Sequence, residues 1–292
     1  IPRPRATPKP APTRQDIPPG CRYSRTPMES IPEGAARVPL DGDEDDLLIR
    51  EEPLWIECHG ARLLTMRTPG RDRELVVGHL LDEGVIQQAA DIAETVEIPG
   101  EPGALRPDTI RITLRRPSDA RIEGRLTRTH EIRPSCGICG LVDADTLLDD
   151  MLPLLTGTPR LTLADIEARR QRFDAEQPLF HATGASHAAM IFGPDGEVWG
   201  RGEDVGRHNA VDKAIGTAAL AGHPLEHGTA MLSGRSGLDL VLKCLRVRIP
   251  ILLSVSAPSA VSVEVCRSAG ATLVGFVRPE RTKVYCSGGR LG

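Results

Sequence analysis

The chain has 292 residues, of which 40% are hydrophobic and 26% are charged, as is ordinary for a globular protein. A formal net charge of -4 at pH 7 disfavours a nonspecific nucleic-acid-binding protein, because such proteins are usually basic. No apolar run is long enough to cross a bilayer, and no secretory signal pattern opens the sequence, so a cytoplasmic protein of one large or two modest domains is expected.

Residues 1–48 are predicted to form a disordered arm. Seven prolines lie among the first twenty residues, and an acidic stretch runs from Asp41 to Asp46. A segment of this composition cannot bury enough apolar surface to offset the entropy lost on ordering.

Residues 49–130 are predicted to form a smaller, β-rich domain. Strand patterns at 54–58 and 63–66 flank His59-Gly60, which indicates a hairpin. A helix follows from about residue 71 to 83, with Gly84 placed to end it, and two further strands are predicted at 93–98 and 110–114. His79, on the apolar side of this helix, is expected to be a packed residue rather than a ligand.

Residues 131–142 are predicted to be a mobile loop that presents two thiols, Cys136 and Cys139, each followed by a glycine. A thiol reacts as its thiolate, and nearby cations favour that form, so His130 and Arg133 are candidates to lower its pKa. The other five of the seven cysteines stand alone in the sequence, which disfavours a disulfide framework and fits a reducing compartment.

Other functions of the cysteine pair have less support in the sequence. A structural zinc site usually needs four ligands, and the sequence has one C-x-x-C with His130 as a third candidate, so no metal site is expected. A thioredoxin-like redox pair belongs at a helix start in a βαβ unit, which the flanking sequence lacks. A zinc deaminase needs a glutamate two residues after its histidine, and His187 is followed by two alanines.

Residues 143–292 are predicted to form an α/β domain. Helices are expected at 143–155, from a Thr162 capping box to about 173, and at 204–220, 238–247 and 260–269. Strands are expected at 187–192, 197–199, 229–232, 251–255, 272–277 and 283–285. This alternation is typical of βαβ units in a sheet with helices on its faces.

Turns of small residues lie at one edge of this predicted sheet, at 183–186, 233–237 and 256–259. Such turns bind phosphates through backbone N–H groups at helix starts, and Arg235 adds a bidentate contact. Arg207, His208 and Asn209 are predicted to face the same crevice. The purely structural alternative is that Asp204 caps the following helix and that Arg207 pairs with Glu203 on the surface.

Several motifs, in order along nearly everything after residue 50, resemble the formate dehydrogenase accessory sulfurtransferase, or FdhD, family. They are Glu51–Leu54, Met66–Gly70, Ser135–Gly140, Thr183-Gly184 with His187–Ala189, Arg201–Lys213, Ser233–Arg235, Ile249–Leu252, Ser256–Pro258 and Leu273–Arg278.

The resemblance implies a sulfur carrier that accepts sulfur from a cysteine desulfurase and passes it to the bis-molybdopterin guanine dinucleotide cofactor of formate dehydrogenase. It implies a cytidine-deaminase-like fold and a homodimer, with Cys136 as the persulfide carrier and Cys139 as an auxiliary thiol. The family's cofactor-binding segment falls on Phe276, Val277, Arg278, Pro279, Glu280 and Arg281. This sequence departs from the family at Pro279-Glu280, where a small, glycine-rich pair is more usual.

Two other functions stay open from the residues themselves. One is a non-catalytic chaperone that binds the molybdenum cofactor while its cysteine pair is structural or holds zinc. The other is a nucleotide or cytidine hydrolase, against which the missing acid–base glutamate already counts.

Overall fold

The computed structural model describes residues 30–41, 44–101, 106–118, 122, 126, 148, 151–156, 160–279 and 281–292. Its first sheet has four strands in the order β4-β3-β6-β5. These strands are β3 (Glu52–Cys58), β4 (Ala61–Arg67), β5 (Ile92–Ile98) and β6 (Asp108–Leu114). The predicted hairpin about His59-Gly60 is confirmed, since β3 and β4 pair as antiparallel strands on either side of it.

The second sheet has six strands in the order β12-β11-β10-β9-β7-β8. Its strands are β7 (His187–Phe192), β8 (Val198–Asp204), β9 (Thr229–Leu232), β10 (Ile251–Ser254), β11 (Thr272–Arg278) and β12 (Arg281–Cys286). Strands β9, β10 and β11 are parallel to one another, whereas β7 is antiparallel to both β8 and β9, and β12 is antiparallel to β11. The predicted mixed α/β class is confirmed.

Six α-helices lie within the described part of the chain. They are α1 (Asp72–Asp82), α2 (Leu163–Ala175), α3 (Pro178–Thr183), α4 (Arg207–Leu220), α5 (Leu238–Arg246) and α6 (Ala260–Ser268), with 3-10 turns at Ala89–Asp91 and Leu225–His227. The predicted capping box is present: Thr162 Oγ1 accepts from Asp165 N at 3.1 Å, and Asp165 accepts from Thr162 N at 2.8 Å. Helix α4 begins at Arg207, three residues later than predicted, because Asp204 is the last residue of β8.

One hydrophobic cluster joins the two sheets. It contains inward side chains of the four-stranded sheet, helices α1, α4 and α5, and one face of the six-stranded sheet. Helices α1 and α4 cross closely, since a Cβ at Gly78 would overlap the carbonyl oxygen of Asp212. The other face of the six-stranded sheet is covered by α2 through Ile166 and Phe173. Residues 31–292 therefore form one compact unit, in which the segments predicted as separate domains share a core.

The structure differs from the predicted disordered arm between residues 35 and 49. Strands β1 (Ala35–Pro39) and β2 (Asp45–Ile49) form an antiparallel hairpin, closed at its base by Arg50 N donating to Gly34 O at 2.7 Å. The ordered chain thus begins before residue 49, and the prediction for residues 1–29 lies outside the described residues. Of the helix predicted at 143–155, residues 151–156 are not helical and most of the rest lie outside the described residues.

No helix in the described ranges combines the length and the apolar character that a membrane span requires.

Candidate functional site

Four predicted arginines lie at one edge of the six-stranded sheet. The carboxyl ends of β8, β9, β10 and β11 meet at this edge, together with the first residue of the antiparallel β7. Arg207 opens α4 after β8, Arg235 lies in the loop between β9 and α5, and Arg278 and Arg281 flank the turn between β11 and β12. We call these four residues the arginine edge.

The charges of the arginine edge are largely uncompensated. Arg207, Arg235 and Arg281 make no ion pair or side-chain hydrogen bond with any other residue that the structure describes. Arg278 uses Nε to donate to the carbonyl oxygen of Val255 at 2.8 Å. Arg235, Arg278 and Arg281 are exposed, and Arg207 is half-buried. Such a group of free guanidiniums favours an anionic ligand, above all one with phosphate groups.

His208 is tied to the neighbouring helix rather than free. Its Nε2 lies 3.7 Å from Asp239 Oδ2, and the proximity of His208 lowers the pKa of Asp239. The starts of α4 and α5 are therefore linked beside Arg207, which fixes the spacing of the helix ends that carry the edge.

Phe276 lies between two of the arginines in an unusual backbone conformation. Its φ is +52°, in the left-handed region that a bulky residue rarely adopts, and its N–H donates to Ser256 O at 3.0 Å. The guanidinium of Arg281 lies 4.3 Å from the centre of its ring, and that of Arg278 lies 6.0 Å away. The ring is thus held against cationic groups, which is favourable for a π face.

The segment predicted to bind a cofactor, residues 276–281, contains both buried and exposed side chains. Val277 is 1% exposed and belongs to the hydrophobic cluster under α2, so its side chain points away from the edge, and a contact with a ligand is left to its backbone. Pro279 is exposed in the turn, and Glu280 lies outside the described residues. The positive φ of Phe276 and the register shift between Gly275 and Arg278 interrupt the alternation of β11, so Val277 packs in the same cluster as Val274.

Asn209 does not face the crevice, contrary to the prediction. Its Nδ2 donates to the carbonyl oxygen of Met66 at 2.7 Å and to Asp204 Oδ1 at 3.1 Å, and the residue is buried. The polar residues around 201–213 thus differ in role: Arg207 lies on the arginine edge, whereas Asn209 holds α4 against strand β4.

Asp204 is neither a helix cap nor a surface residue, so the structural alternative was also wrong. It is fully buried, 2.8 Å from Lys213 Nζ, and it accepts from Thr68 N at 3.0 Å. Glu203 accepts from the backbone N–H groups of Leu179 and Phe180, which leaves Arg207 without this partner. These contacts attach the Thr68 loop and α3 to the strand that leads into the site.

The FdhD/NarQ family model matches residues 49–292. The chain belongs to this family. A protein named sulfur carrier protein FdhD from Anaeromyxobacter dehalogenans strain 2CP-C is 40% identical over 259 residues, covering 85% of this chain and 89% of the relative. A protein of the same name from Streptomyces coelicolor is 37% identical over 254 residues, covering 84% of this chain and 89% of the relative.

A crystal structure described as that of a formate dehydrogenase accessory protein, from Desulfotalea psychrophila, has a similar fold. It is 26% identical, with a TM-score of 0.66 over 88% of this chain and 97% of that chain. The FdhD/NarQ fold is therefore shown for this chain over both sheets.

Four of the cysteines of this FdhD/NarQ family member are buried and free: Cys58, Cys244, Cys266 and Cys286. Burial raises the pKa of Cys58 to about 11 and that of Cys266 to about 12, and it also raises the pKa of the other two. None of these four thiols is suited to react as a thiolate near neutral pH. Cys136, Cys139, His130 and Arg133 lie outside the described residues.

The sequence predicts the turn 233–237, which contains Ser233, as part of the phosphate site but gives His187 no role there; the structure places both residues on the arginine edge. Ser233 Oγ accepts from Ala188 N at 2.9 Å and lies 3.5 Å from His187 Nδ1. Burial, with the charges of Arg207 and His208, lowers the pKa of His187, so its imidazole is neutral near pH 7. The available signal was that His187 and Ser233 each lie in a stretch matching the family, at strand ends that share an edge.

A second polar cluster lies beneath the site, among α1, α4 and α5. Lys243 Nζ is 2.9 Å from both carboxylate oxygens of Asp82 and 2.8 Å from Asp212 Oδ1, and His79 Nδ1 is 3.4 Å from Asp212 Oδ2. His79, Asp82 and Glu83 can bring ligand atoms within 4.8 Å of one another, but the ammonium of Lys243 already occupies the face of Asp82. The expectation that His79 is a packed residue is confirmed, since it is 7% exposed.

Proposed function

We propose that this chain is a sulfur carrier that serves the maturation of formate dehydrogenase. The observation that carries the proposal is the division of its cysteines: every cysteine that the structure describes is buried with a raised pKa, so sulfur chemistry falls to the remaining ones. Among these, Cys136 and Cys139 form the C-x-x-C pair. Relatives named sulfur carrier protein FdhD, at 37–40% identity over most of the chain, support the same function.

In the first step, Cys136 as thiolate attacks the outer sulfur of a persulfide on a cysteine desulfurase. A new sulfur–sulfur bond forms on Cys136, while the bond between the two sulfurs of the donor breaks and the donor cysteine leaves as a thiolate. His130 and Arg133 precede the pair in sequence and favour its thiolate form through their positive charge. Cys139 is proposed as an auxiliary thiol.

The second proposed step delivers this sulfur to bis-molybdopterin guanine dinucleotide, which is the substrate of transfer and is then received by formate dehydrogenase. Cys139 as thiolate attacks the inner sulfur on Cys136, the bond between the two persulfide sulfurs breaks, and the outer sulfur leaves as sulfide to the cofactor, while formation of the Cys136–Cys139 disulfide supplies the two electrons. The arginine edge suits its pyrophosphate, because three of its guanidiniums form no ion pair or side-chain hydrogen bond with any residue that the structure describes. The ring of Phe276, half-buried beside Arg281, offers a face for a purine. His208, Pro279 and Glu280 belong to the same proposed contact surface, in a homodimer of the cytoplasm.

The test is the intact mass of the protein after incubation with a cysteine desulfurase and cysteine. Wild type is expected to gain a sulfur adduct that a reductant removes, and Cys136→Ala is expected to gain none while keeping its folded circular-dichroism spectrum. Cys139→Ala is the matched variant, because it alters the other thiol of the same loop. If Cys136→Ala acquires the reducible adduct as wild type does, the carrier role of Cys136 is wrong.

A further inference from the structure

His187 occupies a half-buried position at the first residue of β7, within the arginine edge. Its ring packs against Gly234, where an added Cβ would lie only 3.6 Å from Nδ1. The Nδ1 atom is 3.5 Å from Ser233 Oγ, at the outer limit of a hydrogen bond. A Cβ at this distance would make an ordinary van der Waals contact, so the ring lies directly beside the loop that carries Arg235.

Ser233 is a partner that serves either charge state of this histidine. Its oxygen already accepts the N–H of Ala188 at 2.9 Å, which leaves the hydroxyl proton free to be donated to a neutral Nδ1. When Nδ1 carries a proton, the second lone pair of the same oxygen accepts it. A carboxylate partner would instead hold the imidazole in its charged form.

The charged groups that face His187 disfavour its cationic form. Arg207 and His208, both at the start of α4, act against a positive charge on it, as does burial, and Asp204 is the carboxylate whose charge favours one. The carboxylate of Asp204, however, is already engaged by Lys213 at 2.8 Å and by three further donors, Thr68 N, Gly206 N and Asn209 Nδ2. Asp204 is the one carboxylate among the described residues whose charge acts on His187, so we take the counter-charge for a protonated His187 from the ligand.

We propose that His187 is a proton-linked contact of the arginine edge, which takes up one proton from solvent when a pyrophosphate diester binds and then donates Nε2–H to it. The inference rests on the proposed function, since it assumes that the edge holds the pyrophosphate of the cofactor. The added proton neutralises part of the ligand's charge, so binding and protonation strengthen each other. Affinity consequently rises as the pH falls from the bound-state pKa of His187 towards its lower free-state pKa.

The probe is guanosine diphosphate mannose, because its pyrophosphate is a diester and keeps a constant charge between about pH 5 and 8. Titration calorimetry in buffers of different ionisation enthalpy counts the protons taken up on binding. For wild type we expect uptake of up to about one proton, and up to about a tenfold gain in affinity per pH unit in the window between the two pKa values. His187→Gln is expected to bind with less uptake and a flatter pH profile.

His223→Gln is the matched control. His223 follows the carboxyl end of α4 and stacks on Trp199 at 4.9 Å between ring centres, whereas the edge lies at the start of this helix of 14 residues, about 21 Å long. This variant should keep both the uptake and the pH profile of wild type. In wild type, the pKa of the His187 imidazole, followed by NMR, is expected to rise when the probe is added, a measurement that does not depend on any variant folding.

The outcomes separate the two proposals. If wild type fails to bind the probe at any pH, the pyrophosphate site on the arginine edge is wrong and the inference goes with it. If the probe binds but His187→Gln takes up as many protons as wild type, or the pKa of His187 does not move, the edge site stands and the role of His187 is overturned.

Discussion

The buried cluster of Lys243, Asp82 and Asp212 predicts a strongly non-additive pair of substitutions. Both carboxyls are buried beside one ammonium. Burial and the charge of Asp212 raise the pKa of Asp82 well above its ordinary value. Burial acts the same way on Asp212, but Lys243 and hydrogen bonds from His79 and Asp82 outweigh it and lower the pKa of that carboxyl. The ionised form is therefore disfavoured at Asp82 and favoured at Asp212, and the two carboxyls share the ammonium of Lys243.

Either carboxyl alone can balance Lys243. In Asp82→Asn the amide keeps an oxygen for Lys243 and donates to Asp212 in place of the acid, at a cost of about 1 kcal/mol. In Asp212→Asn the charge that raises the pKa of Asp82 is removed, so ionised Asp82 becomes the partner of Lys243, again for about 1 kcal/mol. The double variant leaves the buried ammonium of Lys243 without an ionised partner, which costs about 3–5 kcal/mol. The coupling free energy is thus about 1–3 kcal/mol.

The assay is urea unfolding of wild type, both single variants and the double variant at pH 7. With a urea dependence of about 3 kcal/mol per molar, each single variant lowers the midpoint by about 0.3 M and the double variant by about 1–1.7 M. Additive midpoints would refute the shared charge balance. The pH dependence of stability gives a second check. Because the pKa of Asp82 is raised in the folded state, its contribution to stability is greatest below its unfolded-state pKa of about 3.9. This contribution declines as the pH rises through the folded-state pKa. Asp82→Asn should lack that decline.

Three further outcomes are expected. Arg235→Ala should weaken guanine-nucleotide binding by about 1.5–3 kcal/mol, or roughly 10- to 150-fold in Kd, and leave sulfur loading unchanged; an unaltered Kd by calorimetry would remove Arg235 from the site. Thr162→Ala should cost about 1 kcal/mol in urea unfolding, with Thr162→Ser close to wild type, since only alanine lacks the capping oxygen. Gly78→Ala should cost roughly 1–3 kcal/mol or more, because its methyl overlaps Asp212, whereas Gly237→Ala, with open space around it, should cost under about 1 kcal/mol; equal effects would contradict the close helix crossing.

Elements with a local signal could be predicted from the sequence. The helix opened by Thr162 and Asp165 begins where its capping box places it. The hairpin at His59-Gly60 is specified by its two turn residues, both of which adopt positive φ. The hairpin of residues 35–49 has no such signal, because its acidic strand β2 gains its order from pairing with β1.

The position of a residue at the site could be predicted only where the direction of its strand determines which edge of the sheet it reaches. The edge shared by Arg207, Arg235 and Arg278 follows from parallel strands that end together. The burial of Asp204 does not follow from local sequence, because its partner Thr68 is 136 residues away in the chain. The burial of Val277 does not follow from strand alternation either, because the register shift between Gly275 and Arg278 places it in the same cluster as Val274, three residues earlier.

Two buried ion clusters hold the helices whose starts lie beside Arg207 and Arg235. Asp204 with Lys213 anchors the strand end before α4, and Lys243 with Asp212 joins α4 to α5. Arg207 is the first residue of α4, and Arg235 lies in the loop before α5. A shift of either helix that relieved the repulsion between these two arginines would therefore break a buried pair. Breaking such a pair costs about 3–5 kcal/mol, more than the repulsion between exposed, solvent-screened guanidiniums. Arg207 and Arg235 therefore lie at helix starts that buried pairs hold in place, and an anion bound there meets guanidiniums that have no ion pair among the described residues.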